Sequence, residues 1–300
     1  MRRYHRGSRD QNKRKFGDHM SVIQAKGIVK AYGLVWKKKI LDSISISINS
    51  GECTCIVGEN GAGKSTLIKI LAEIIPKDEG QFHFSGTTSY VPEISINYAS
   101  MNAEENMIYY DRITGEHENF NEYIEKFALP IRGKSVKNFS KGMKRKLDLV
   151  RALNINPAAI LLDEPFEGLD PLTCSDIIDM LKEEKKKGKA ILMSSHDMSY
   201  IERVADSIFL LRNGRLREYS KAWKSNHIII IDGDKEAVCV ILGGITYSIK
   251  QQDHYYGISI DESYLQEALD RLRKSKIKII RQEVESLEEA YLREIKKVDN

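Results

Sequence analysis

No stretch of this chain approaches the roughly 18 consecutive apolar residues that a membrane-spanning helix needs. The longest candidate, Ala237 to Ile249, is too short and is interrupted by Gly243 and Gly244, so any membrane role has to run through a partner. The amino-terminal end has neither apolar periodicity nor the hydrophobic segment of a secretory signal. Cysteine is scarce: Cys53, Cys55, Cys174 and Cys239 are the four present. They lack metal-ligand spacing, which leaves buried free thiols in a reducing cytoplasm as the expectation. No heptad run marks a long coiled coil.

What is present is ordinary globular composition, 41% hydrophobic and 30% charged over 300 residues, enough for one large domain and a smaller one. The formal charge of +4 is concentrated at the start. Residues 1 to 18 hold seven bases (Arg2, Arg3, Arg6, Arg9, Lys13, Arg14 and Lys15) against Asp10 and Asp18, so the remainder is close to neutral. Residues 1–20 are expected to be a disordered basic tail. It reads either as a solvated extension before a fold opening at Met20 or as a contact for anionic lipid or nucleic acid.

The strongest signal is Gly58-Glu59-Asn60-Gly61-Ala62-Gly63-Lys64-Ser65-Thr66, a full phosphate-cradling loop after the apolar strand Cys53 to Val57. Its glycines let backbone N–H groups turn toward phosphates, Lys64 can reach the terminal ones, and the Ser65 hydroxyl can hold Mg²⁺. The pattern predicts a nucleoside triphosphate, with a helix from Ser65 to Pro76 whose start faces the phosphates. Val22 to Lys30 and the alternating Ile44 to Ile48 predict half-buried antiparallel strands. Residues 90 to 155 are predicted mainly helical, with Phe120 to Leu129 and Lys141 to Leu153 clearest.

Two further buried strands follow. Ala159 to Leu162 ends in Asp163-Glu164, a pair suited to Mg-dependent phosphoryl transfer, with Asp163 assigned to the metal and Glu164 to deprotonating water. Ala190 to Met193 ends at Ser194-Ser195-His196, which puts an imidazole at the carboxyl edge where open α/β sheets bind ligands, as a γ-phosphate contact. Upstream, Phe139-Ser140-Lys141-Gly142-Met143 opens a helix that Ser140 can cap, and such a start is an anion site.

Taken in order with Gly168-Leu169-Asp170-Pro171, these pieces resemble the ATP-binding subunit of an ABC transporter, over about residues 21 to 218. The resemblance implies an α/β P-loop ATPase with an antiparallel β subdomain, a mostly parallel core sheet and a helical signature subdomain (about 90–155), together spanning 21–220. It implies ATP and Mg²⁺ as ligands, hydrolysis to ADP and phosphate, and Tyr32 as the aromatic stacking on adenine. It also implies a head-to-tail dimer, with a second copy or a paralogous ATPase. There each ATP lies between one subunit's P-loop and the other's Ser140 and Gly142, and the Asp170 loop crosses between sites. The output is a separate transmembrane permease, which places the chain in the cytoplasm at the inner membrane face.

Two positions depart from the family pattern. Glu93 in Tyr90-Val91-Pro92-Glu93 stands where a glutamine is usual, an acid beside phosphates that could still meet Mg²⁺. Lys141 and Met143 replace the usual glycine and glutamine of the signature.

After the hairpin predicted at Asn213-Gly214, residues 221–300 are expected to form a small α+β appendage. Its expected strands are His227 to Ile231, Val238 to Leu242, Tyr255 to Ile260 and Lys276 to Ile280, with helices at Ser263 to Arg273 and Ser286 to Lys296. The wording Ser286-Leu287-Glu288-Glu289-Ala290-Tyr291-Leu292 resembles the tail of exporter-type ATPases of peptide-antibiotic resistance systems, and export is the expected direction. The alternative is a soluble ABC ATPase acting on ribosomes or nucleic acid, for which the basic tail is the only positive feature; a small-molecule kinase does not account for the Ser140 helix start.

Overall fold

The computed structural model describes residues 21–33, 38–115, 120–219, 226–252, 254–275, 277–284 and 286–287. The basic tail and all but the start of the expected last helix lie outside them. Strands β1 (Ser21–Tyr32) and β2 (Lys38–Asn49) pair antiparallel. Ile44, Ile46 and Ile48 are buried while Ser45 and Ser47 face solvent, as the alternation predicts. The next strand, β3 (Cys53–Val57), leads to helix α1 (Lys64–Leu71), which stops a turn before Pro76. Strand β4 (Glu79–Phe84) completes a three-stranded sheet of order β2-β1-β4. Its inner face meets Ile56, Leu67, Ile68 and Leu71 in one apolar cluster.

The central sheet takes its strands from far along the chain: β5 (Thr88–Val91), β6 (Ala159–Leu162), β7 (Ala190–Ser194), β8 (Ser207–Arg212) and β9 (Arg215–Tyr219) join β3. The order is β5-β6-β7-β3-β8-β9, parallel except for β9. Every residue of β3, β6 and β7 is buried, which is why these segments read as mainly apolar runs, with Thr54 of β3 hydrogen-bonded to Ser207. The β8–β9 turn has Asn213 at φ 51° and Gly214 at φ 72°, the left-handed pair that a type I′ hairpin requires.

Between β5 and β6 come helices α2 (Ala103–Thr114), α3 (Phe120–Lys126) and α4 (Lys141–Asn154). Helices α5 (Pro171–Lys186) and α6 (Met198–Val204) flank β7 in sequence. They share a core cluster with one face of the central sheet, including Cys53, Cys55, Met107, Leu147, Ile160 and Ile178. Leu287 is buried in the same cluster.

The remaining described residues form β10 (Asn226–Asp232), α7 (Lys235–Ile241), β11 (Tyr247–Gln252), β12 (Tyr255–Asp261), α8 (Glu262–Arg273) and β13 (Lys278–Val284). The strand order β11-β12-β10-β13 is antiparallel throughout, the ferredoxin-like β-α-β-β-α-β arrangement. Two expectations fail here. The segment Val238 to Leu242 is not a strand, because the Asp234 side chain accepts the Ala237 N–H and starts α7, with Val238 and Leu242 on its buried side. Cys239 on that helix is exposed, whereas the other three thiols are buried; all four are free.

Candidate functional site

The loop after β3 is shaped by what its glycines must avoid. A Cβ on Gly58 would sit 2.4 Å from the Leu211 carbonyl oxygen, and one on Gly63 would sit 2.9 Å from Ile40. Gly63, at φ 106°, is the residue from which α1 starts. Lys64 follows, buried, with Nζ 2.8 Å from the Gly58 carbonyl and 3.3 Å from that of Glu59.

Strand β7 lies beside β3 and β6 beside β7 in the sheet, all parallel, so the residues after β6 and β7 meet the loop. Asp163 is 1% exposed. Its Oδ1 accepts hydrogen bonds from the Ser65 and Ser194 hydroxyls, each at 2.8 Å, whereas Oδ2 is buried without a hydrogen bond. The neighbouring Tyr90 phenol is raised by burial and then by the Asp163 charge, yet its hydroxyl does not reach hydrogen-bond geometry either. A buried carboxylate oxygen lacking a partner beside a serine hydroxyl is a hard-oxygen donor set that fits Mg²⁺.

Glu164 sits at φ 45°, a left-handed backbone that costs a non-glycine residue about 1–2 kcal/mol. Its N–H donates to Ser194 Oγ at 3.0 Å. The carboxylate is shared: Oε2 lies 3.0 Å from His196 Nδ1 and Oε1 lies 3.7 Å from Lys64 Nζ. His196 Nε2 is in turn 3.3 Å from Glu167 Oε2. The three side chains Glu164, Glu167 and His196 bring ligand-type atoms within 4.8 Å of one another; the imidazole is hydrogen-bonded to Glu164 and lies within ion-pair distance of Glu167.

These groups surround a cavity of about 530 Å³. Asn60, Gly61, Gly63, Lys64, Ser65 and Thr66 line it together with Tyr32, Glu93, Glu164 and His196. Tyr32, exposed at the end of β1, forms the rim, and Lys30 Nζ lies 5.5 Å from its ring centre. Glu59 and Ala62 instead line a smaller neighbouring cavity of about 270 Å³ with Lys38, Lys39 and Arg212.

Gly58 and Asp163 lie behind the lining of the larger cavity, and Ser140, Gly142 and Asp170 do not line it either. Ser140 caps α4, its Oγ accepting the Met143 N–H at 3.1 Å. Gly142 is buried where a Cβ would meet Thr173 Oγ1 at 2.8 Å, so packing on α5 demands the glycine. Asp170 caps α5, accepting the Thr173 N–H and hydroxyl. Those hydrogen bonds hold its carboxyl below the usual carboxylate range.

Known proteins share this arrangement. The sequence pattern of the family described as ABC transporter matches residues 41–167. The Bacillus subtilis protein YcbN, an uncharacterised ABC transporter ATP-binding protein, is 31% identical over 242 residues, covering 74% of this chain and 78% of its own. This chain belongs to the ATP-binding proteins of ABC transporters. Another relative, the linearmycin resistance ATP-binding protein LnrL of Bacillus subtilis, is 30% identical over 243 residues, 75% of this chain and 73% of that protein. A solved ATP-binding subunit of an ABC transporter superposes with a TM-score of 0.60 at 26% identity, covering 84% of this chain and all of that one.

In this ABC ATPase several neighbours of the site carry no sequence signal of their own. Glu167 lies three residues past Glu164 in the turn after β6, and only folding reveals that it meets His196. Ser194 holds Asp163 and Glu164 together from the next strand. Arg145, on α4, reaches the loop that carries Glu93.

Proposed function

We propose that this chain binds Mg²⁺-ATP in the cavity around Lys64, hydrolyses it, and powers a separate transmembrane permease. The convergence of Lys64, the Ser65–Asp163 pair and the Glu164–His196 pair at adjacent strand ends carries this reading. In it, Tyr32 stacks on adenine. The loop from Gly58 to Thr66 wraps the phosphates, and Lys64 exchanges its carbonyl partners for phosphate oxygens. Ser65 and Asp163 would hold Mg²⁺ with Glu93 nearby, where the ion would offset phosphate charge. Glu164 takes the proton of the attacking water, and His196 orients that carboxylate while reaching the terminal phosphate.

Ser140 and Gly142 serve a neighbouring ATPase in trans. Their absence from the cavity of their own chain fits a head-to-tail pair, formed with a second copy or a paralogue, with the Asp170 loop between the sites. The permease has a candidate docking face: Ile94, 77% exposed, Ile96 and Tyr98 follow Glu93 directly, so an apolar surface adjoins the nucleotide cavity. Among the described residues no helix is long and apolar enough to cross a membrane, which suits a chain held at the cytoplasmic membrane face by that partner. The resistance role in LnrL's name favours export. No feature of the described residues favours nucleic acid.

Glu164→Gln is the direct test. Phosphate release should fall by about 10²–10⁴-fold while ATP binding persists; unchanged release would remove Glu164 from the role of base.

A further inference from the structure

We propose that Arg145 is a positioning residue for ATP hydrolysis: it clamps the backbone on both sides of Glu93 and supplies the positive charge that lets a carboxylate face the phosphates there. The inference rests on the functional reading above and deepens it. Arg145 lies in the second turn of α4 and is 3% exposed. Its Nη1 donates to the Pro92 carbonyl and its Nη2 to the Glu93 carbonyl, both at 2.5 Å. Those carbonyls belong to the peptide planes before and after the Glu93 Cα. Holding both planes fixes φ and ψ of Glu93, and with them the direction in which its side chain leaves the backbone.

A buried guanidinium is costly unless it is paired, yet among the described residues Arg145 has no carboxylate within ion-pair distance. Burial disfavours its charge, and Asp148, Glu93 and Asp163 favour it from further away. Two of these acids, Glu93 and Asp163, are ones the proposed function places at the metal and phosphates. With the fork committed to carbonyls, the Glu93 carboxylate is left to line the cavity. Repulsion between that acid and a triphosphate is what a nearby buried cation would offset. Arg145 also stands five residues after Ser140 on one helix, so the helix start and the Glu93 loop are mechanically joined.

The test is a double-mutant cycle on the full chain, reading kcat and KM for ATP by phosphate release across an Mg²⁺ titration. Arg145→Met should lower kcat about 10–100-fold and raise the Mg²⁺ requirement, with KM for ATP changing less. Arg145→Lys should restore little, because an ammonium lacks the planar two-pronged fork. Glu93→Gln removes the acid that needs offsetting, so Glu93→Gln/Arg145→Met should exceed Arg145→Met alone in kcat by about fivefold or more. Wild-type kcat in Arg145→Met, or an equal loss in both Glu93 backgrounds, would reduce Arg145 to a structural strut and overturn the proposal. If circular dichroism finds Arg145→Met unfolded, Arg145→Gln with and without Glu93→Gln makes the same comparison in a neutral variant that keeps a hydrogen-bond donor. A wild-type chain that releases no phosphate sinks the functional reading as well, whereas an active chain with independent variants sinks only this inference.

Discussion

The central sheet and the β-α-β-β-α-β unit at residues 226–284 are both built on buried isoleucine and leucine, but they treat polar groups in opposite ways. In the first, Lys64, Arg145, Asp148, Asp163, Glu164, Glu184 and Ser194 are all buried. In the second, among the described residues no polar or charged residue is buried as a whole, although His227 Nδ1 is; its core is Ile229, Ile231, Val238, Leu242, Ile258, Ile260 and their neighbours. Burying a polar group is unfavourable unless a partner satisfies it; Glu184 meets that need with Lys187 and Lys189, whereas Lys64, Asp163, Glu164 and Ser194 are buried together where β3, β6 and β7 end. In the proposed function, the chemistry belongs to the strand ends of the central sheet.

Substitutions at the two places should therefore fail in different ways. The largest expected effect is Lys64→Met, which should cost at least about 100-fold in kcat/KM for ATP while leaving the melting temperature close to wild type. A variant that keeps its turnover would break the comparison at its strongest point. Ile258→Ala should do the reverse. It empties a fully buried position, so denaturant unfolding should register a loss of about 2–5 kcal/mol, while phosphate release stays within about twofold because Ile258 packs in a cluster that shares no residue with the cavity. A large loss of turnover there would mean the two regions are coupled.

The smallest effect is chemical. Cys239 should react with a thiol reagent in the native protein, while Cys53, pushed up to about 12 by burial, and Cys55, raised by the same cause, should react only after unfolding. More than one fast thiol in the native state would contradict the described packing.

The same contrast governs how much was legible in the sequence. Strands β3, β6 and β7 are wholly buried, so β6 and β7 appear as apolar runs and β3 as one broken only by the hydrogen-bonded Thr54, and the proposed site residues sit where those runs stop. Asn213-Gly214 was legible because the turn's backbone demands those residue types. Helix α7 was not: Val238 to Leu242 is short, apolar and partly β-branched, and periodicity cannot separate helix from strand over five residues. The deciding feature was the Asp234 cap four residues earlier. The β11 strand was hidden in the same apolar stretch, beyond Gly243-Gly244. Arg145, Glu167 and Ser194 could not be assigned from spacing, because each acts on a residue brought near only by the sheet order and the helix packing.

The central claim is that one cavity holds Mg²⁺-ATP and that a second ATPase completes it. Sedimentation of Glu164→Gln with and without Mg²⁺-ATP, together with its permease, tests this most directly. The expected result is a shift from single chains to a pair retaining two nucleotides, a shift that Lys64→Met cannot make. A chain that stays single at every nucleotide concentration would contradict it.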